Sequence, residues 1–186
     1  MKHKRILAML LAVASCLSLA VSVSAASTAR KATDFKDFDR NAWYADAVSA
    51  AVDNGLLYGK SSTIIDPNGD MTRAEMAAII NRSFGCYKTA DISQYKDVAK
   101  SKWYYKDVAL AVQMGTYNGR SASSMAPDAP ISRLEAMTVV ARALELDYDS
   151  YSKTDLSAFS DRSEISNWAL PYVRAMVGAD SVSYTH

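Results

Sequence analysis

The chain has 186 residues, with 21 lysines and arginines against 20 aspartates and glutamates and a formal net charge of +1. This balance excludes a general attraction to nucleic acid or to anionic membranes, so any anion binding must come from local placement of basic side chains. The two histidines are His3 and His186, at the two ends of the chain. Their positions argue against a Ser-His-Asp triad, a Cys-His pair and a His-ligated zinc site, and we predict no metal and no cofactor.

The first 25 residues have the pattern of a secretory signal peptide. Three basic residues precede an apolar run over residues 6–23, and Val23-Ser24-Ala25 supplies small residues for cleavage. We predict a signal peptide over 1–25, export, and no membrane attachment after cleavage. A lipoprotein cut before Cys16 is an alternative, although the apolar run continues beyond that residue. Once Cys16 is removed, Cys86 has no partner for an internal disulfide.

An ungapped internal repeat follows. Residues 35–82 recur as residues 95–142, at an offset of about 60 residues, and a third copy begins at Phe159. We predict repeat units over 35–86, 95–145 and, in part, 159–186, with linkers over 26–34, 87–94 and 146–158. The identical pairs include Trp43/Trp103, Gly55/Gly115, Gly59/Gly119, Pro67/Pro127, Arg73/Arg133, Glu75/Glu135 and Arg82/Arg142.

Each unit reads as helix, loop, helix. Apolar residues recur at helical spacing from Trp43 to Asn54, and Gly55 follows where a left-handed cap is expected. Residues 56–70 are rich in Gly, Ser and Pro, which is typical of a loop. Thr72 and Glu75 have the spacing of a capping box that opens the second helix, as do Ser132 and Glu135. A unit of this size cannot bury both apolar faces alone, so the copies must pack on each other.

These motifs strongly resemble the S-layer homology (SLH) family. The resemblance rests on the openings Phe35-Lys36-Asp37 and Tyr95-Lys96-Asp97, on the Trp and Gly markers, and on Met71-Thr72-Arg73-Ala74-Glu75 with its second copy over 131–135. It implies a mainly α fold in which helix-loop-helix repeats pack as a pseudo-threefold bundle, with ligand grooves between neighbouring repeats. The third copy reaches no capping box, so we expect it to be truncated. The bundle should then expose an apolar strip, open to self-association, centred on Ile79, Ile80, Val139 and Val140.

The resemblance also implies a function. Such a module is a non-catalytic anchor at the cell wall or cell surface that binds secondary cell-wall polymer, often through a pyruvate ketal on an amino sugar. We expect Arg73 and Arg133 to hold the carboxylate near a helix N-terminus, where the dipole and free N–H groups favour an anion. The alternatives for these two arginines are a solvated charge or a structural pair with an aspartate of a neighbouring repeat. The remaining candidates are Trp43 and Trp103 as faces for a sugar ring, shared with the core, Gly59 and Gly119 for close backbone approach, and Lys60 and Arg120 as charges at the rim.

Two other functions remain open from the sequence. One is a wall-active hydrolase using two carboxylates such as Asp37 and Glu75. Against it, the capping boxes already use Glu75 and Glu135. The other is a structural S-layer subunit that assembles without glycan. Arg82 and Arg142 are expected to be structural, because a cation is favourable at the C-terminal end of a helix.

Overall fold

The computed structural model describes residues 30–181, so the predicted signal peptide over 1–25 lies outside the described residues. The five α-helices of the described part are α1 (Ala45–Asp53), α2 (Arg73–Phe84), α3 (Tyr105–Gln113), α4 (Arg133–Ala143) and α5 (Leu170–Gly178). Short 3-10 helices cover Ala32–Asp34 and Arg162–Glu164. This part of the chain forms no strand beyond an isolated bridge between Thr72 and Pro130. The predicted mainly α fold is confirmed.

The first helix of each of the first two units lies where the periodicity places it. Helix α1 ends at Asp53, and Gly55 follows with a φ of +66°, as expected for a residue that closes a helix in the left-handed region. Gly115 does the same after α3, with a φ of +73°. None of the helices within residues 30–181 is long and apolar enough to cross a membrane.

The second helices open on the predicted capping boxes. The Thr72 hydroxyl accepts a hydrogen bond from the Glu75 N–H at 3.2 Å, and the Thr72 N–H donates to the Glu75 carboxylate at 2.8 Å. Ser132 and Glu135 make the same two bonds at 3.2 and 2.9 Å. Two orphan N–H groups at the start of each helix are thereby satisfied. The structural capping role of these four residues follows directly from this geometry.

Packing joins the second helix of one unit to the first helix of the next. Helix α2 packs against α3, α4 packs against α5, and α2 also contacts α4, whereas α1 packs only against the 3-10 helix Ala32–Asp34 among the described elements. One buried cluster lies around α2 and α3 and includes Ala77, Ile80, Tyr104, Val108 and Val139. A second lies around α4 and α5 and includes Met137, Ala141, Val173 and Met176.

The expected exposed apolar strip is wrong. Ile80 and Val139 are only 5% and 4% exposed, and Ile79 and Val140 are half-buried. The reason is that Ile80 and Val139 both lie in the buried cluster around α2 and α3, so no further second helix is needed to bury them. Contact between α2 and α4 is the part of the expected central bundle that is observed, and the pseudo-threefold arrangement stays a prediction.

The helix of the third unit packs on the second unit together with its preceding segment. Leu156, in the predicted linker over 146–158, is buried, and the Tyr148 ring packs edge-on against Tyr172 with centroids 4.9 Å apart. The Arg174 guanidinium donates to the Ser152 carbonyl at 2.7 Å. This segment therefore contributes side chains to the core as well as connecting two units.

Candidate functional site

A carboxylate at the start of each unit holds the long loop in place. Asp37 accepts hydrogen bonds from the backbone N–H groups of Ile65 at 3.0 Å and Asp66 at 2.7 Å, and Asp97 accepts those of Met125 and Ala126 at 2.9 and 2.7 Å. The Ile65 N–H lowers the pKa of Asp37 most strongly. These bonds anchor the two long loops to the start of their own units at equivalent residues.

The first groove, a cavity of about 530 Å³, lies between the loop and second helix of the first unit and the start of the second unit. Its charged and aromatic lining includes Lys60, Glu75, Arg82 and Trp103, with Gly59 in the loop. The Lys60 ammonium bonds both Glu75 oxygens at 2.7 Å. Arg82 donates to the Leu56 carbonyl at 2.9 Å and lies 4.1 Å from the centroid of the Tyr58 ring.

The second groove, a cavity of about 400 Å³, repeats this arrangement one unit later. Its corresponding lining residues are Gly119, Arg120, Glu135, Arg142 and Trp168, and Arg73 is added to them from the first unit. Arg120 bonds both Glu135 oxygens at 3.1 Å. Arg142 donates to the Tyr172 hydroxyl at 3.0 Å, with its guanidinium 4.8 Å from that ring's centroid. Both grooves thus lie between neighbouring units.

Tryptophans mark the far wall of each groove. Trp103 is 60% exposed and lines the first groove, and Trp168 is 53% exposed and lines the second. Trp43 is 90% exposed and lines neither. The expectation that Trp43 and Trp103 are shared with the core is wrong, because the next residue in each unit, Tyr44 or Tyr104, is the buried one.

Trp168 was missed as a site residue. The third copy supplied the signal, since Trp168 occupies the place in its unit that Trp103 occupies in the second.

The expected direction of Arg73 is also wrong. Its side chain does not stand over the opening turn of its own helix; it is 5% exposed and reaches into the second unit. The guanidinium donates to the carbonyls of Met125 at 3.0 Å and Asn118 at 3.1 Å, and to the Glu135 carboxylate at 2.9 Å. Its centre lies 5.2 Å from the centroid of the Tyr117 ring. Arg73 is therefore an inter-unit clamp at the floor of the second groove, and any ligand contact it makes is confined to that floor.

The N-terminus of α2 is not available to an anion either. The N–H groups of Arg73 and Ala74 donate to the carbonyls of Ala129 at 3.0 Å and Pro127 at 2.9 Å. Because the capping box uses the next N–H, the free donors that the sequence suggested are occupied by the second unit. This corrects the expected helix-dipole site at α2.

Arg133 has a different environment although it occupies the same position in its unit. It is exposed, lines neither groove, and its side chain forms no hydrogen bond or ion pair within residues 30–181. Its role in ligand binding stays a prediction.

The capping glutamates are ionised and paired with the rim cations. Burial acts to raise the pKa of Glu75, but the Lys60 ammonium and the Thr72 N–H lower it below its ordinary value. Burial likewise acts to raise the pKa of Glu135. Its pKa is nevertheless lowered, because Arg120, the Ser132 N–H and Arg73 stabilise the carboxylate. Lys60 and Arg120 each line a groove and already bond a carboxylate, and their contribution to ligand binding stays a prediction.

The loop glycines are required by internal packing. Gly59 has a φ of +82°, and a Cβ there would clash with the Phe35 ring and the Ile64 carbonyl. A Cβ at Gly119 would clash with the Tyr95 ring and with backbone carbonyls of its own loop. The tight turn, rather than approach to a ligand alone, explains both residues.

Arg82 and Arg142 line the grooves as well as ending their helices, which the sequence reasoning did not anticipate. The sequence did contain a signal, since both units carry an arginine at this equivalent position. Among residues 30–181, no group of three or more His, Cys, Asp or Glu side chains is placed to hold a metal ion.

Comparison with known proteins agrees with this repeated arrangement. The model of the family described as S-layer homology domain matches residues 34–77 and 94–137. The chain is 32% identical over 165 residues to a Surface-layer 125 kDa protein of Lysinibacillus sphaericus, an alignment that covers 88% of this chain and 14% of that protein. It is also 25% identical over 170 residues to an Endoglucanase of Bacillus sp. (strain KSM-635), covering 89% of this chain and 18% of the relative.

An Exoglucanase XynX of Acetivibrio thermocellus is 28% identical over 142 residues, covering 75% of this chain and 13% of the relative. The chain thus spans less than a fifth of the length of each of these three curated relatives.

Proposed function

Since the chain is an S-layer homology domain protein, exported to the cell surface or cell wall, we propose that it anchors there by binding an acidic secondary cell-wall polysaccharide. SLH domains anchor proteins to the cell wall. The finer proposal is that the acidic group is a pyruvate ketal on an amino sugar, and that the sugars bind in the two grooves between units.

The observation that carries the proposal is the recurrence of one groove design. In each groove an exposed tryptophan from one unit faces a glycine turn and basic side chains of the unit before it. An aromatic face suits the apolar face of a sugar ring, and a guanidinium forms charge-assisted hydrogen bonds with a carboxylate. A repeated groove of this kind suits a polymer that presents the same sugars at regular intervals.

The carboxylates support a non-catalytic module. A glycosidase needs one carboxyl group that stays protonated near neutral pH, with a raised pKa, to protonate the leaving group. The pKa values of Asp37 and Glu75 are both lowered, and both carboxylates accept backbone hydrogen bonds. These two residues are therefore poorly suited to the hydrolase alternative.

A structural S-layer subunit is the second candidate, favoured by the similarity to a Surface-layer 125 kDa protein. The apolar strip that suggested self-association is covered within the chain, which removes the main argument for assembly through it. Self-association through another surface is left to experiment: size-exclusion chromatography with light scattering reports it directly.

Sedimentation with purified wall material tests the proposal. We expect co-sedimentation without release of sugar, and its loss when pyruvate is chemically removed from the polymer. Release of sugar would support the hydrolase, and unchanged sedimentation after pyruvate removal would contradict recognition of the acidic group.

Tryptophan variants test the grooves themselves. Trp103→Ala and Trp168→Ala should each weaken binding by about 1 kcal/mol, because each removes one ring face. Trp43→Ala is the matched control, since this residue is exposed but lines neither groove. Equal effects of all three substitutions would contradict binding in the grooves.

A further inference from the structure

We propose that the two grooves bind different sugars of the polymer: the second groove takes the acidic sugar and the first takes an uncharged one. This inference rests on the proposed function, because it assumes that glycan binds in the grooves. Its basis is a difference in charge between the linings of the two grooves, although the two units are similar in sequence.

The charges that line the two grooves have opposite balance. The second groove has three cations, Arg73, Arg120 and Arg142, and one carboxylate, Glu135, which gives a formal charge of +2. The first groove has two cations and three carboxylates, which gives −1; these residues are Lys60, Arg82, Asp66, Asp70 and Glu75. An anionic substituent is therefore attracted to the second groove and repelled from the first.

Three positions produce this difference. Asp66 and Asp70 in the first unit correspond to Ala126 and Pro130 in the second, so these two carboxylates have no counterpart in the lining of the second groove. Arg73 supplies the third charge, because it crosses from the first unit into the second groove. Within residues 30–181, no arginine from another unit lines the first groove.

Ion pairs within the second groove do not cancel its positive charge. Arg73 and Arg120 share the single Glu135 carboxylate, with nearest distances of 2.9 and 3.1 Å. Arg142 donates to uncharged groups, the Tyr172 hydroxyl and, at 3.5 Å, the Thr116 carbonyl. The second groove thus keeps a positive charge that no carboxylate in its lining cancels. Because Arg73 is almost fully buried, its charge is also less screened by water than a surface charge.

In the first groove, an ion pair neutralises one of the two cations. Lys60 and Glu75 form a close ion pair at 2.7 Å. The other charged residues of the lining are Arg82 and the exposed Asp66 and Asp70, so the negative charges outnumber the positive one. The cavity is also larger, about 530 Å³ against about 400 Å³, and its apolar lining includes Leu57, Ile65 and Ile79. Apolar walls beside a tryptophan suit the face of an uncharged sugar ring.

The three tryptophans give a direct test, because each reports a different place. Their indole N–H signals in a nitrogen–proton NMR spectrum can be assigned with single Trp→Phe variants: Trp103 reports the first groove, Trp168 the second, and Trp43 neither. The ¹⁵N-labelled full chain is titrated with a pyruvylated N-acetylamino-sugar glycoside. A parallel titration uses the same glycoside without the ketal.

With the acidic glycoside, Trp168 should respond at a concentration about tenfold lower than Trp103, or lower still, and raising the salt concentration should reduce this ratio. With the uncharged glycoside, Trp103 should respond at least as readily as Trp168. The double variant Asp66→Asn and Asp70→Asn removes both charges and suits the positive φ of 55° at residue 66, which asparagine tolerates. It should bring the response of Trp103 to the acidic glycoside towards that of Trp168.

The failures are distinguishable. If Trp103 and Trp168 respond to the acidic glycoside at the same concentration, the grooves are equivalent and the inference is overturned, while the proposed function stands. If neither responds to either glycoside, the proposed function itself is overturned. If the asparagine double variant leaves the ratio unchanged, charge is not what separates the two grooves, and the inference is again overturned.

Discussion

Replacing Arg73 by alanine is expected to lower the free energy of unfolding by about 3 kcal/mol. The substitution removes a guanidinium that is 5% exposed and donates to two carbonyls and one carboxylate of the second unit. Breaking a buried ion pair by removing one partner costs about 3–5 kcal/mol. We take the low end because Glu135 retains its bonds to Arg120.

Arg133→Ala is the matched control. Both arginines follow the N-cap residue of a second helix, so helix propensity and the helix dipole affect the two substitutions alike. Arg133 is exposed and has no side-chain partner among the described residues, so its loss should change stability by less than about 0.5 kcal/mol.

Urea unfolding followed by circular dichroism measures both variants. Arg73→Lys should recover little of the loss, because an ammonium cannot reproduce the planar fork that reaches three acceptors. Equal destabilisation by Arg73→Ala and Arg133→Ala would refute the clamp, as would full rescue by lysine. The clamp also implies that a binding defect of Arg73→Ala must be read together with its stability, whereas Arg133→Ala tests ligand contact without that complication.

Three further expectations concern the caps, the turns and pH. Ser132→Ala should destabilise the chain by about 1 kcal/mol, measured by urea unfolding, since the helix loses its N-cap acceptor; a change below about 0.3 kcal/mol would contradict this. Gly59→Ala should cost about 2 kcal/mol or more, because of its positive φ and the clash with Phe35, whereas Gly115→Ala, where a Cβ would have no heavy atom within 4 Å, should cost only about 1 kcal/mol. Because the folded-state pKa of Glu135 is lowered, the stability that ionised Glu135 contributes is present above about pH 4.5 and is lost as the pH falls through the folded-state pKa. Glu135→Gln should therefore reduce the loss of unfolding free energy at acidic pH. The same loss in the variant as in the parent protein would count against the pairing.

Local chemistry made much of the fold predictable. The positive φ of Gly55 and the capping boxes at Thr72 and Ser132 depend on residues within four positions of each other, so their spacing in the sequence determines them. The repeat predicted that the units pack together, because one helix pair cannot bury its own apolar faces.

The site was only partly predictable, because its members meet across units. The direction of Arg73 depends on carbonyls that lie 45 and 52 residues further along the chain, and no local pattern reports a side chain's long-range acceptors. The same holds for Trp168, which becomes a groove wall only because α5 packs on α4.

The sequence by itself determined the helices, their caps and their repetition, since these arise from hydrogen bonds and periodicity within a few residues. Tertiary structure alone decided which of two equivalent arginines is buried, which tryptophans face a groove, and that Arg73 adds its charge to the groove of the next unit. The physical reason is that burial and electrostatic potential are sums over neighbours in space, and two identical residues in a repeat have different neighbours whenever the units beside them differ.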